Sequence, residues 1–121
     1  MPDSELTAAL SRPISEVKAE LFKALAHPAR IRILEVLTAG EHAVNQMQPL
    51  VGIEASHLSQ QLGVLRRAQL VRTRKDGPSV IYSLADPQVA DLLAVAKRIL
   101  LASLSSHDDL VADLRAAVRQ A

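Results

Sequence analysis

The run Glu54-Ala-Ser-His-Leu-Ser-Gln-Gln-Leu-Gly-Val-Leu-Arg-Arg-Ala68, followed after Gln69 by Leu70-Val-Arg-Thr-Arg-Lys-Asp-Gly-Pro-Ser-Val-Ile-Tyr-Ser-Leu84, decides the fold. In the first half, Leu58, Leu62 and Leu65 recur at spacings of four and three, and Val64 broadens the stripe. That periodicity predicts an amphipathic helix. Ser56, His57, Ser59, Gln60 and Gln61 are expected off the stripe. Short hydroxyl and amide side chains both donate and accept hydrogen bonds, as reading base edges or phosphates requires. In the second half, Asp76-Gly77 is a turn signal between two β-prone runs, Val71–Lys75 and Val80–Leu84. A polar-faced helix leading into a charged hairpin is the arrangement of a DNA-binding winged helix.

The rest of the chain fits a mainly α architecture with this hairpin as its β element. Ser15 is a plausible N-cap for a helix over Glu16–Ala26. Pro28, after His27, suits the first turn of the next helix, which carries Ile31, Leu34, Val36 and Leu37 and stops near Gly40. Val44–Leu50 reads as a short helix closed by Val51-Gly52, so that with the helix from Glu54 it makes a helix-turn-helix. Asp86-Pro87 opens a long helix to about Leu104, and Asp108–Arg119 a weaker one. The long helix has more apolar surface than a small domain absorbs, which predicts a homodimer through the N- and C-terminal helices, with Leu21, Leu92, Val95, Ile99 and Leu100 at the interface. The expected organisation is a flexible arm over 1–14, a winged-helix DNA-binding and dimerisation domain over 15–104, and a helical tail over 105–121. Within the arm, Glu5–Leu10 has the makings of a short helical turn.

The 121 residues include two aromatics, Phe22 and Tyr82, so the core is built from Leu, Val, Ile and Ala. A net charge of +1 is uninformative, but its distribution is not. Arg66, Arg67, Arg72, Arg74 and Lys75 place five of fourteen cations within ten positions that hold no acid. A basic face on a nearly neutral chain fits DNA contact with a bounded footprint; a solvated charged face is the alternative. The absence of cysteine excludes disulfides, zinc-thiolate sites and thiol switches. No apolar run approaches the roughly 20 residues of a membrane span, and no signal-peptide pattern opens the sequence, so the expected location is the cytoplasm with no membrane partner.

Phe22-Lys-Ala-Leu-Ala-His-Pro-Ala-Arg-Ile-Arg-Ile-Leu34, Ser59-Gln-Gln-Leu-Gly-Val-Leu-Arg-Arg-Ala-Gln-Leu-Val71, and Arg74-Lys-Asp-Gly77 with Tyr82-Ser-Leu84 resemble, in order, three signatures of the ArsR/SmtB family of bacterial winged-helix repressors. The resemblance covers about residues 16 to 104. It implies a homodimer on an inverted-repeat operator in double-stranded DNA, repressing transcription until an effector arrives. It places Ser56, His57, Ser59, Gln60 and Gln61 in the major groove, and Arg72, Arg74 and Lys75 on the wing against phosphate or the minor groove. Arg66 belongs to the same basic cluster. Two positions depart from the family pattern. Gln69 stands where a glycine usually ends the helix, so that turn is expected to differ. Pro78 and Ser79 occupy wing-tip positions that are often basic.

The family's known metal sites are largely missing. Val44-Asn-Gln-Met-Gln-Pro49 has no thiol where one class carries a cysteine cluster. Asp86 and Gln88 begin a second class of site on the long helix, but Ile99 and Ala102 stand where its other ligands belong. No cofactor is assigned; were one present it would be a divalent transition metal such as nickel or zinc, with His107, Asp108 and His42 as weak candidate ligands. Three modes of control stay open: a small molecule in a pocket between subunits, a metal at a non-standard His/carboxylate site, or no effector, with regulation set by protein abundance and competition. No catalytic motif is visible, so an enzyme is not expected. The remaining rival is a winged-helix protein-interaction module without DNA binding.

Overall fold

The computed structural model describes residues 12–104 and 108–120. The chain folds as helices α1 (Ile14–Leu25) and α2 (Pro28–Thr38), strand β1 (His42–Ala43), helices α3 (Val44–Val51) and α4 (Ala55–Arg67), strands β2 (Val71–Asp76) and β3 (Ser79–Leu84), and helices α5 (Gln88–Leu104) and α6 (Asp108–Gln120). This is a winged helix-turn-helix. The arm expected over residues 1–14 lies outside the described residues as far as residue 11, and so does its Glu5–Leu10 turn.

The first helix starts earlier than expected. Pro13, not Ser15, flanks it: its carbonyl accepts from the Glu16 and Val17 amides at 3.0 and 3.3 Å, and Ser15 falls inside the first turn. The ring fixes φ at a value that leads into a helix, and no side-chain hydrogen bond caps this end. At the next junction His27 is itself the cap, its Nδ1 accepting from the Ala29 amide at 3.0 Å, with Pro28 at N1. Gly52 closes α3 in the left-handed conformation.

The leucines of α4 enter one aliphatic core. Leu58, Leu62 and Leu65 are fully buried with Ile33, Leu34 and Met47. Each such side chain contributes about 1.5–3 kcal/mol by leaving water. Leu70, Val71 and Val89 extend this core toward the wing and α5.

Gln69 adopts φ +62, so the left-handed turn is kept rather than altered, contrary to the expectation from its side chain. A Schellman closure holds it there. The Gln69 amide donates to the Arg66 carbonyl and the Leu70 amide to the Leu65 carbonyl, both at 3.0 Å, while buried Leu70 packs in the same core as Leu65.

The wing is longer than its β-prone runs and has a partner strand absent from the sequence reading. Asp76 pairs with Ser79, leaving Gly77-Pro78 as a two-residue turn with Gly77 at φ +61. The sheet order is β1-β3-β2, all antiparallel, with His42 opposite Tyr82 and Ala43 opposite Ile81. Side chains alternate across β2, so Val71 is buried and Thr73 half-buried while Arg72 and Arg74 are exposed. Replacing Gln69 with Gly relieves the cost of a side chain in the left-handed region. The variant should gain about 1 kcal/mol of stability, read as a higher thermal midpoint.

Candidate nucleic-acid interface

With its leucines inward, α4 turns Ser56, Ser59 and Gln60 to solvent, and Arg66 and Arg67 continue that exposed side at its C-terminal end. The two arginines also complement the helix dipole there. Gln61 is a correction. It was expected on the groove-facing side, yet it is 8% exposed and its Oε1 has no hydrogen-bond partner. The reason is helical geometry: Gln61 lies three residues after Leu58 and four before Leu65, on the buried stripe itself. His57 is half-buried, its ring standing edge-on to His27 with centroids 6.0 Å apart. That contact ties the recognition helix to the α1–α2 junction.

Arg67 was not singled out as a site residue. It is four residues beyond Gly63, and its guanidinium lies over that glycine: a Cβ there would stand 3.2 Å from Nη1. The i,i+4 spacing from Gly63 was the available signal. Arg66 and Arg72 line one small cleft of about 240 Å³ with Gln69, Val71 and Ala85, bridging the end of α4 and the start of the wing. With two guanidiniums and no acid in its lining, this cleft suits a phosphate oxygen.

The other wing cations differ in availability. Arg74 is engaged in a two-point ion pair with Glu41, Nη2 to Oε1 at 2.5 Å and Nε to Oε2 at 3.2 Å, both residues exposed. The Arg74 guanidinium holds the Glu41 carboxyl below the usual carboxylate range through this hydrogen bond. Lys75 and Arg72 are exposed, and neither is in an ion pair among the described residues.

Metal-ligating groups do not gather. Among the described residues no three His, Asp or Glu side chains converge. His42 Nδ1 lies 2.7 Å from the Gly40 carbonyl in the connection to β1. Asp86 caps α5, its Oδ1 accepting from the Gln88 amide at 2.8 Å. His107 lies outside the described residues, as does the Asp108 side chain. No described helix is long and apolar enough to cross a membrane.

The buried helix-turn-helix, its polar outward face and its basic wing define a winged helix-turn-helix transcriptional regulator. Residues 25–74 match the model of a helix-turn-helix domain. The chain is 53% identical over 107 residues to the uncharacterized HTH-type transcriptional regulator Rv0081 of Mycobacterium tuberculosis, covering 88% of this chain and 94% of that protein. The crystal structure of Rv0081 superposes with a TM-score of 0.73 at 54% identity, covering 78% of this chain and 96% of that one. The homodimeric winged helix-turn-helix DNA-binding domain Mb0332 of Mycobacterium bovis, a possible ArsR-family regulator solved by NMR, gives 0.71 at 32% identity, covering 84% and 90%. A biofilm growth-associated repressor of Agrobacterium fabrum is 41% identical over 85 residues, 70% of this chain and 72% of that protein. The chain belongs to the ArsR/SmtB family of transcriptional regulators.

Two outcomes test this geometry. Gln61→Met removes an orphaned buried acceptor without changing the exposed face; it should stabilise the fold by about 1 kcal/mol in denaturant titration and leave DNA discrimination unchanged. Glu41→Gln frees Arg74 for phosphate and should raise affinity for DNA of any sequence by up to about fivefold at low salt, seen by fluorescence anisotropy.

Proposed function

We propose that the protein is a homodimeric repressor that binds an inverted-repeat operator in double-stranded DNA and works in the cytoplasm. The observation that carries this is a run of exposed polar and basic side chains from α4 into the wing: Ser56, Ser59 and Gln60 on α4, Arg66 and Arg67 at its end, then Arg72 and Lys75 on β2. The amides and hydroxyls suit base edges, and the cations suit phosphates. Two copies of α4 enter successive major grooves about 34 Å apart, each wing lying against the flanking backbone. Arg74 joins that contact by exchanging Glu41 for phosphate.

Dimerisation is supported by apolar residues left exposed on α1 and α5: Ile14 at 66%, Phe22 at 54% and Ile99 at 61%, beside Val17 and Val95. With half-buried Leu21 and Leu92 they form the surface a second copy covers, on a domain spanning residues 15–104 with α6 as its tail. The homodimeric state of the Mycobacterium bovis neighbour supports the same reading, and the repressor name of the Agrobacterium relative supports the direction of regulation. The run of cations from α4 into the wing favours this reading over a protein-interaction module.

The test is binding to the DNA upstream of the protein's own coding sequence against random duplex. Gln60→Ala should lower the ratio of specific to random affinity by about 5- to 100-fold. Arg72→Ala should weaken both alike and reduce the salt slope by about one. An unchanged ratio in Gln60→Ala overturns the placement of α4 in the groove.

A further inference from the structure

The long helix α5 carries two apolar sides. Leu92, Val95 and Ile99, at spacings of three and four, make the side assigned to the second copy. Leu93, Ala96, Leu100 and Leu101 make another, which faces α6. Leu100, expected at the dimer interface, lines this side and is 54% exposed. From α6, Leu114, Ala117 and Val118 face back at helical spacing. The two stripes do not close on each other. An open groove of about 680 Å³ lies between α5, α6, the outer side of α2 and Leu50 at the end of α3.

The space is a groove open to solvent and not a void in the core: Leu50, Leu100, Leu101 and Val118 in its lining are all exposed. Its volume and its mostly aliphatic wall are those of a small-molecule site. The charged residues in its lining are Arg32, Glu35 and Lys97, two cations against one acid. Among the described residues the ion pairs are Arg12–Glu20 and Glu41–Arg74, so none of these three is neutralised by a salt bridge there. An occupant complementary to this wall has an apolar body and a single negative headgroup.

We infer that the groove binds an apolar organic monoanion, a carboxylate carried on an acyl or aromatic body, and that this ligand is the effector. The effector role rests on the repressor reading above; the binding itself does not. The route of coupling is built into the wall. Leu50, 60% exposed, belongs to the first helix of the helix-turn-helix, while α5 carries the face given to the second copy. A ligand wedged between them favours one setting of the DNA-reading unit relative to the dimer axis. Ligand and DNA then alter each other's affinity by the same factor.

The experiment uses the full chain without DNA first. Calorimetry with decanoate and with decanol, and displacement of anilinonaphthalene sulfonate fluorescence, read the site directly. Decanoate should saturate at one per chain and bind at least about tenfold more tightly than decanol, the difference contributed by the cations. The double variant Arg32→Ala, Lys97→Ala should abolish that difference. Ala117→Trp, which fills the space from α6, should abolish binding of both while leaving the thermal midpoint within a few degrees and the oligomeric state unchanged. Decanoate should then alter operator affinity in the parent and not in Ala117→Trp. Equal binding of decanol overturns the anionic class. Binding that survives Ala117→Trp overturns the location, and no saturable binding overturns the site. Binding without any effect on operator affinity overturns the effector role. Failure to bind any operator, with decanoate binding intact, instead removes the repressor reading and leaves the pocket standing.

Discussion

The insertion of Leu58, Leu62 and Leu65 among Ile33, Leu34 and Met47 is the constraint on which the rest of the structure depends. It fixes the rotation of α4 about its axis, and with it which residues meet solvent. A helix has one such freedom once it is packed, and three fully buried leucines remove it. The polar face follows: Ser56, Ser59 and Gln60 point outward because the leucines point in. The Schellman closure at Gln69 then fixes where the chain leaves the helix, so the wing begins with Val71 buried in the same core. The exposed polar face and the hydrophobic core are two sides of one packing decision.

Much of this was legible in the sequence, and the exceptions have physical causes. Helices α2 to α6 and the hairpin follow from aliphatic periodicity and from Gly and Pro punctuation. The strand β1 did not, because two residues carry no alternation; only its pairing with β3, far along the chain, makes it a strand. Gln61 was misplaced because residue type was allowed to outweigh position: an amide reads as polar surface, yet its spacing from Leu58 and Leu65 puts it on the inner stripe. Gln69 was expected to change its turn, and the structure shows two hydrogen bonds and a buried leucine outweighing one unfavourable φ. On the interface, the basic cluster that marked Arg66 contained Arg67 as well. The partner of Arg74 was invisible because Glu41 lies far from it in sequence and is brought near by the β1–β3 pairing.

The same uneven legibility explains α5. Its excess of apolar residues was clear, and a single interface was the economical reading. The structure divides that excess between two sides, one left bare and one turned toward α6 across a gap. A helix with two such sides is a poor core element by itself, since neither is fully covered. It is well suited to transmit a change on one side to whatever covers the other. The placement of Leu50 in the same gap gives the helix-turn-helix a share in that wall.

The strand β1 has a bearing on how the molecule comes to exist. The hairpin β2–β3 closes through a two-residue turn and forms on local terms. The pairing of His42 with Tyr82 must instead gather chain segments separated by two helices and a strand. Loop-closure entropy makes such a contact late, after the local helices and the leucine core have met. On a growing chain, α1 to α4 emerge with most of the core before β3 has been made. Docking of the wing on β1 therefore follows the assembly of α1 to α4, and with it comes the Glu41–Arg74 tether. A nascent chain that has only just released α4 holds its polar-faced helix with no wing yet beside it.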